Sequence, residues 1–172
     1  SRSSAASDVY KRQRVIYSKT ARLFEAAAQC SGILAGCTPE EEKGLQDYGR
    51  YLGTAFQLID DLLDYNADGE QLGKNVGDDL NEGKPTLPLL HAMHHGTPEQ
   101  AQMIRTAIEQ GNGRHLLEPV LEAMNACGSL EWTRQRAEEE ADKAIAALQV
   151  LPDTPWREAL IGLAHIAVQR DR

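Results

Sequence analysis

The order of apolar and polar residues is helical over most of the chain. The first periodic stretch covers residues 15–35, where apolar residues recur at steps of three and four, the spacing of one helix face. They are Leu23, Ala27, Cys30 and Leu34. Small residues in the same stretch would let a neighbouring helix approach closely. The pattern therefore predicts a first helix here.

Three later helix starts are marked by threonine followed by proline, which suit the cap and the first position of a helix. They are Thr38–Pro39, Thr97–Pro98 and Thr154–Pro155. The first two carry Glu or Gln three residues after the threonine, as in a capping box. The starts predict helices from Pro39 to about Tyr65, from residue 98, and from residue 155 to about Arg170.

Further helical patterns cover "LPLLHAMHH" and the stretches 116–126 and 130–148. Residues 66–86 contain four glycines and little periodicity, so they predict a long loop of the kind that is usually functional or disordered. Strand signals are almost absent. The fold class predicted from the pattern is all-α.

The second helix gathers acidic residues on one stripe. At 100° per residue, polar and small residues share about 100° of arc, opposite an apolar stripe. They are Gly53, Gln57, Asp60, Asp61, Asp64 and Asp68. One interpretation is a solvated acidic face. However, no Lys or Arg interleaves this stripe, and two carboxylates ~6 Å apart at an effective dielectric of ~20 repel by roughly 3 kcal/mol.

A bound divalent cation would remove this repulsion. Asp60 and Asp64 are four residues apart and can direct oxygens at one point, and hard oxygen ligands suit Mg²⁺. In the following loop Lys74 and Lys84 each follow a glycine, and lysine is a good partner for phosphate. The combination favours a Mg²⁺–diphosphate site, while a solvated loop with incidental lysines is the alternative.

Other metal sites are less well supported by the sequence. "DYNADG" matches the start of a calcium-binding EF-hand loop, but Asn75 stands where the bidentate glutamate belongs. His91, His94 and His95 share a helix face without the order of residues found in metalloproteases. Trp132 and Trp156 are interpreted as packing residues.

Composition narrows the class further. The net charge of −8 disfavours nucleic acids and anionic membranes as main partners, and no apolar run is long enough to span a bilayer. Three cysteines, an odd count, predict reduced thiols in the core of a cytoplasmic protein. Residues 1–13 are rich in Ser and Ala and are interpreted as a non-native leader before a domain of residues 14–172.

"FQLIDDLLDY" followed by "GKNVGDDLNEGKPTLPLL" resembles the second aspartate-rich region of trans-type polyprenyl diphosphate synthases, and "YSKTARLFEAA" is similar to their upstream Lys-Thr segment. The resemblance covers roughly residues 14–172. In detail it looks most like the C-terminal half of the bacterial octaprenyl enzymes, which make quinone side chains. It implies half of an α-helical bundle of the isoprenoid-synthase type, from a protein that is usually a homodimer.

The resemblance also implies roles for individual residues. Asp60 would be the principal Mg²⁺ ligand, supported by Asp61 and Asp64. Diphosphate oxygens would be bound by Lys19, Lys74 and Lys84, together with Thr20 and Gln57. These last two would also turn dipoles toward the allylic cation. Catalysis would thus depend on Lys19, Thr20, Gln57 and Asp60.

The implied reaction joins isopentenyl diphosphate to an allylic diphosphate of the farnesyl type, with Mg²⁺ as cofactor. Membrane contact would be at most transient, for product release. The chain departs from the family because it contains neither the first aspartate-rich motif nor the isopentenyl diphosphate pocket. We therefore expect the isolated chain to be inactive. A non-catalytic subunit of a heteromeric synthase and a helical calcium-binding protein remain alternatives.

Overall fold

The computed structural model describes residue 8, residues 11–66 and residues 76–170. Within these residues all regular structure is helical, as predicted. The helices are α1 (Arg22–Ala35), α2 (Pro39–Leu63), α3 (Asp78–Asn81), α4 (Leu87–His95), α5 (Pro98–Gln110), α6 (Leu117–Ala126), α7 (Ser129–Ala147) and α8 (Pro155–Val168).

Helical structure begins earlier than the sequence pattern predicts. Residues 11–16 are already helical, and Tyr17–Ala21 form a π-helical turn that leads into α1. The helix therefore starts inside the segment that was interpreted as a leader. The non-native origin of residues 1–13 stays a prediction. At its other end α1 stops at Gly36, whose φ of 71° is readily accessible only to glycine.

The threonine caps are confirmed. The backbone N–H of Glu41 donates to Thr38 Oγ1 at 3.3 Å, and the Thr38 N–H donates to the Glu41 carboxylate at 2.8 Å. Thr97 forms the same reciprocal pair with Gln100. Thr154 accepts from the backbone N–H of Arg157. These bonds satisfy N–H groups that have no partner within their own helix, which is why the helices begin where they do.

The chain divides into two compact units. The first unit comprises residues 1–13 and 60–134, and the second comprises residues 14–59 and 135–172. The long helix α2 contributes its last turn to the first unit and the rest to the second.

The first unit has a core built mainly from α4, α5 and α6. Its fully buried members include Leu89, Ile104, Val120 and Met124. On α4, the buried His91 ring stacks between His95 at 4.1 Å and Trp132 at 4.5 Å, and its Nδ1 lies 2.9 Å from Ser129 Oγ. His91 and His95 therefore contribute to packing, and Trp132 is a packing residue as predicted.

In the second unit α1 and α2 lie close together because small residues line their contact. A Cβ added to Gly49 of α2 would come within 2.4 Å of the Phe24 carbonyl oxygen of α1. A Cβ on Gly53 would come within 2.7 Å of the Ala21 Cα, and one on Gly32 of α1 would touch Leu45 at 3.0 Å. The close helix approach predicted from the small residues of the first helix is confirmed at Gly32.

Two packing predictions are wrong. Trp156 is 81% exposed, at the start of α8. Of the cysteines predicted to be in the core, Cys30 is exposed and Cys37 and Cys127 are only partly buried. In each case the residue type favours burial. Trp156 and Cys30 lie on helix positions directed away from the described core, whereas Cys37 and Cys127 lie in the short connections that follow α1 and α6.

Candidate functional site

The acidic residues at the end of α2 differ in burial. Asp61 is 1% exposed, whereas Asp60 and Asp64 are partly exposed. A buried carboxylate costs free energy unless it is paired or hydrogen-bonded. The alternative of a uniformly solvated acidic face therefore does not hold for Asp61.

Asp61 is paired with an arginine from residues 1–13, the segment that was interpreted as a leader. Arg12 is 8% exposed, and its Nη2 donates to Asp61 Oδ1 and Oδ2 at 2.5 and 2.6 Å. Its Nε donates to Oδ2 at 3.1 Å. Both carboxylate oxygens are therefore engaged by one guanidinium, the strong bidentate form of this pair. At Asp61 the positive charge comes from arginine, whereas the sequence predicted that it would come from a metal ion.

Asp64 forms hydrogen bonds with the C-terminal end of the loop that follows α2. Its carboxylate Oδ2 accepts the backbone N–H of Asp79 at 3.0 Å, and its carbonyl oxygen accepts the N–H of Gly77 at 2.8 Å. The short helix α3, which the sequence did not predict, is anchored by these bonds. Burial, together with the nearby charge of Asp79 and Asp78, raises the pKa of Asp64 to about 6.

Lys84 lies at the end of the same loop and contacts two carboxylates. Its Nζ is 2.8 Å from Asp79 Oδ1 and 2.6 Å from Glu82 Oε2. Hydrogen bonds to Asp79 and Glu82 raise the pKa of Lys84, so it is a cation at any physiological pH. The chain of contacts from Asp64 through Asp79 to Lys84 places the lysine near the acidic end of α2.

The second unit contains the other predicted site residues. Lys19 and Thr20 lie in the π-helical turn, a type of turn that is frequent at functional sites. Lys19 is exposed. The Thr20 hydroxyl donates to Gln57 Oε1 on α2 at 2.7 Å, so the structure brings these two predicted partners together.

Asp68, Lys74 and most of the EF-hand-like loop lie outside the described residues, so the roles predicted for them stay predictions.

The acidic end of α2 fits a hard cation in its chemistry but only partly in its geometry. Asp60 and Asp64 offer oxygen ligands, and a nearby cation would offset the cost of ionising Asp64. Asp61 does not fit as placed, because both of its oxygens bind Arg12. Among the described residues no three His, Cys, Asp or Glu form a ready metal site. Metal binding by Asp60, Asp61 and Asp64 stays a prediction.

Three residues near this end of α2 were not predicted from the sequence to belong to the site. Asp78 and Asp79 are the first two residues of α3, and the side chain of Asp78 pairs with Arg114. The available signal was "GDD" between the two glycine-preceded lysines, a second acidic pair in the same loop. Arg12 gave no local signal, because it is 49 positions from Asp61.

Comparison with known proteins places the chain in a family. The polyprenyl synthetase family model matches residues 2–124. The octaprenyl diphosphate synthase of Haemophilus influenzae is 60% identical over 158 residues, which cover 92% of this chain and 48% of that protein. The chain therefore belongs to the polyprenyl synthetase family.

Solved structures agree with the all-α fold. A polyprenyl synthase from Caulobacter crescentus, complexed with calcium and isoprenyl diphosphate, matches with a TM-score of 0.86 and 42% identity, over 94% of this chain and 49% of that one. A decaprenyl diphosphate synthase from Rhodobacter capsulatus matches with a TM-score of 0.85 and 41% identity, over 94% and 50%. The fold is thus that of the prenyl synthases.

The chain spans about half the length of the relatives it matches. In the described residues, no helix combines the length and apolar character that crossing a bilayer requires.

Proposed function

We propose that the chain is part of a prenyltransferase that makes a long-chain all-trans polyprenyl diphosphate, of octaprenyl length, for quinone side chains. The observation that carries this proposal is the 60% identity to an octaprenyl diphosphate synthase over nearly the whole chain. The substrates would be isopentenyl diphosphate and an allylic diphosphate of the farnesyl type. The Caulobacter relative, solved with calcium and isoprenyl diphosphate, supports a divalent cation and this substrate class.

The acidic end of α2 would bind Mg²⁺ through Asp60 and Asp64. When bound, the ion would supply positive charge to the diphosphate leaving group. Lys19, Lys74 and Lys84 would bind diphosphate oxygens. The Lys84 ammonium is partly exposed and has three N–H donors, of which Asp79 and Glu82 engage two. It could therefore bind a diphosphate oxygen with its third donor, or by exchanging one of these carboxylates for the substrate.

Thr20 and Gln57 would stabilise the allylic cation. The Thr20 hydroxyl proton is used in the bond to Gln57, so the oxygen lone pairs of Thr20 are what it presents to any other group. This orientation turns the negative end of the hydroxyl dipole outward, the sign that a developing carbocation requires. Because the bond exists before substrate binds, the dipole needs no reorganisation during the reaction.

The reaction itself would need no side-chain nucleophile. The allylic C–O bond breaks and its electron pair leaves with diphosphate. The double bond of isopentenyl diphosphate then attacks the cation, and a proton is lost to the released diphosphate. The product is one five-carbon unit longer.

The isolated chain would be inactive, because about half of the relatives' length has no counterpart in it. With the remaining half the protein would act as a homodimer. A cytoplasmic location, with at most transient membrane contact, is part of the same proposal and agrees with three cysteines that form no disulfide.

The test joins the chain to the part of the Haemophilus influenzae enzyme outside the matched region. We expect this fusion to elongate farnesyl diphosphate with isopentenyl diphosphate and Mg²⁺, and the isolated chain not to. Asp60→Asn should lower the rate at least about a hundredfold, given the charge stabilisation that a metal ion supplies. Asp142→Asn, the same change at an exposed position of α7, should leave the rate unchanged. A folded but inactive fusion would instead favour a non-catalytic subunit.

A further inference from the structure

A short N-terminal segment is held beside the acidic end of α2 by two charged side chains. Arg12 binds Asp61, and Asp8 Oδ2 lies 3.5 Å from Nε2 of His94 on α4. Residues 8 and 11–13, here named the N-terminal strap, belong to the first unit together with both of these partners. The strap is therefore anchored at two points, and the arginine is the one that reaches the acidic residues of α2.

The Arg12 guanidinium occupies the oxygens of Asp61 that a metal ion would need. Its Nη2 and Nε donate to both carboxylate oxygens over distances of 2.5 to 3.1 Å, and both side chains are buried. A divalent cation at the same oxygens would meet the positive guanidinium where little water is present to screen the repulsion. Arginine and metal ion therefore compete for this carboxylate.

The competition extends to the neighbouring aspartates. Asp60 and Asp64 are one and three positions from Asp61. When all three are ionised, the bound Arg12 cancels one of their three negative charges. Oxygen sites hold hard divalent cations more tightly as the number of charged ligands rises. The arginine therefore lowers the affinity of this end of α2 for Mg²⁺ even where the ion contacts Asp60 and Asp64 alone.

The arginine leaves most easily when another cation replaces it. Breaking a buried ion pair by removing one partner is strongly destabilising, because the remaining charge is left uncompensated. A divalent cation that arrives as Arg12 withdraws offsets the charge of Asp61. The docked strap and the bound ion are thus two exclusive states of the same acidic residues, each of which compensates their charge.

We propose that the N-terminal strap is an autoinhibitory element: Arg12 holds Asp61 in a metal-free state, and Mg²⁺ binds the acidic end of α2 with full affinity only when the strap withdraws. This rests on the proposed function, in which Asp60 and Asp64 are the ligands of the ion. By linkage, removing the guanidinium should strengthen metal binding, and bound metal should release the strap.

The first measurement is Mn²⁺ binding to the isolated chain, followed by the electron paramagnetic resonance signal of the free ion. Arg12→Met should bind Mn²⁺ at least about tenfold more tightly than the parent. Lys11→Met removes the same charge from an exposed neighbour and should stay within about twofold of the parent, because solvent screens that charge. Arg12→Lys should fall between them, since lysine lacks the bidentate fork. Adding Asp61→Asn to Arg12→Met should remove most of the gain.

The second measurement uses the parent chain, so it does not depend on the folding of a variant. Residues 11–16 are helical, and their amide hydrogen exchange should become at least about fivefold faster at saturating Mg²⁺. Exchange in α5 should not become faster. NaCl at equal ionic strength is the control for general screening of the ion pair, and it should accelerate residues 11–16 much less than Mg²⁺.

Either measurement can overturn the inference. Equal Mn²⁺ affinity of Arg12→Met and Lys11→Met would do so, as would the absence of binding in every form or unchanged exchange of residues 11–16 at saturating Mg²⁺. If Arg12→Met does not fold, the exchange measurement decides. Elongation by the fusion described above tests the proposed function separately. Tighter Mn²⁺ binding by Arg12→Met beside an inactive fusion would support the strap and oppose that function, and an active fusion with equal affinities would do the reverse.

Discussion

At the scale of single residues, Asp64 carries a charge that the fold makes costly. Its pKa in the folded chain is about 6, against an ordinary value of 3.8, mainly because of burial. Between these two values the folded chain binds a proton that the unfolded chain has lost. Stability therefore falls as pH rises through this window, and the full cost is present above pH 6.

We predict that Asp64→Asn stabilises the chain at pH 8 and removes this part of the pH dependence. Asn keeps an oxygen that can accept the Asp79 N–H but carries no charge. Discounted for the partial exposure of Asp64, the gain should be about 1 kcal/mol in the free energy of unfolding. Urea unfolding from pH 4 to pH 8 measures it.

The comparison must be made between variant and parent, because His91 contributes the opposite slope. Burial lowers the pKa of His91 to about 4, so its contribution to stability is lost as pH falls from about 6.5 toward 4. Asp142→Asn, at an exposed site, is the matched control and should follow the parent. An Asp64→Asn curve parallel to that of the parent would contradict the prediction.

The Arg12–Asp61 pair gives a second prediction at this scale. Arg12→Met should lower the free energy of unfolding by about 3 kcal/mol or more, because it leaves a buried carboxylate without its cation. Added Mg²⁺ should recover stability in the variant more than in the parent, since no guanidinium then competes with the metal for the Asp61 oxygens. Lys11→Met changes an exposed neighbour and should have little effect. Equal effects of the two substitutions would show that the pair does not stabilise the fold.

The sequence predicted the aspartate stripe but not the partner of Asp61. Periodicity shows which residues share a face of one helix, and it carries no information about a residue 49 positions away. The same limit explains Trp156 and Cys30, whose types favour burial. Burial depends on which face of a helix meets another element, and only the tertiary structure decides this.

At the scale of elements, helix starts were the most predictable feature. Thr38, Thr97 and Thr154 cap their helices through bonds within four residues, so the local sequence contains all the information required. Helix α3 was missed for the converse reason. Its four residues are anchored by Asp64, at the other end of a loop, and a single turn is not stable without such contacts.

The contact of α1 with α2 gives a prediction about glycine. Gly49→Ala should lower the free energy of unfolding by about 1–3 kcal/mol, because the new methyl group would overlap the Phe24 carbonyl and force the helices apart. Moving the helices apart should also lengthen the Thr20–Gln57 hydrogen bond, because it joins the turn that leads into α1 to α2. Chemical denaturation measures the first effect and amide exchange near Thr20 the second.

Gly162→Ala is the matched control. It makes the same change inside α8, where nothing lies within 4 Å of the added methyl group. There alanine should stabilise the helix by about 0.5–1 kcal/mol, because glycine loses more backbone entropy on folding. If both variants were stabilised, the close contact of α1 and α2 would be wrong.

At the scale of the whole molecule, the all-α class followed from the pattern, but the division into two units did not. Residues 11–13 belong with residues 60–134, although the helix that contains them continues into the second unit. Sequence periodicity is continuous there and gives no boundary. The contacts that separate the units join positions far apart in the chain.

The exposed apolar side chains predict how the isolated chain behaves in solution. Leu23 and Leu34 on α1 are more than half exposed, and so are Trp156, Leu163 and Ile166 on α8. A net charge of −8 opposes association at neutral pH, but near the sequence pI of about 5.1 this repulsion disappears. We therefore expect solubility to be lowest near pH 5 and the chain to self-associate there.

Two double variants test whether charge or apolar surface causes this self-association. Leu23→Glu/Leu34→Glu and Gln102→Glu/Gln149→Glu add the same charge at exposed positions, but only the first removes apolar surface. Light scattering compared at matched distances from each variant's own pI should show less association for the leucine variant alone, because apolar contact drives it. Equal behaviour of the two variants would mean that net charge, and not the apolar surface at Leu23 and Leu34, controls association of the chain.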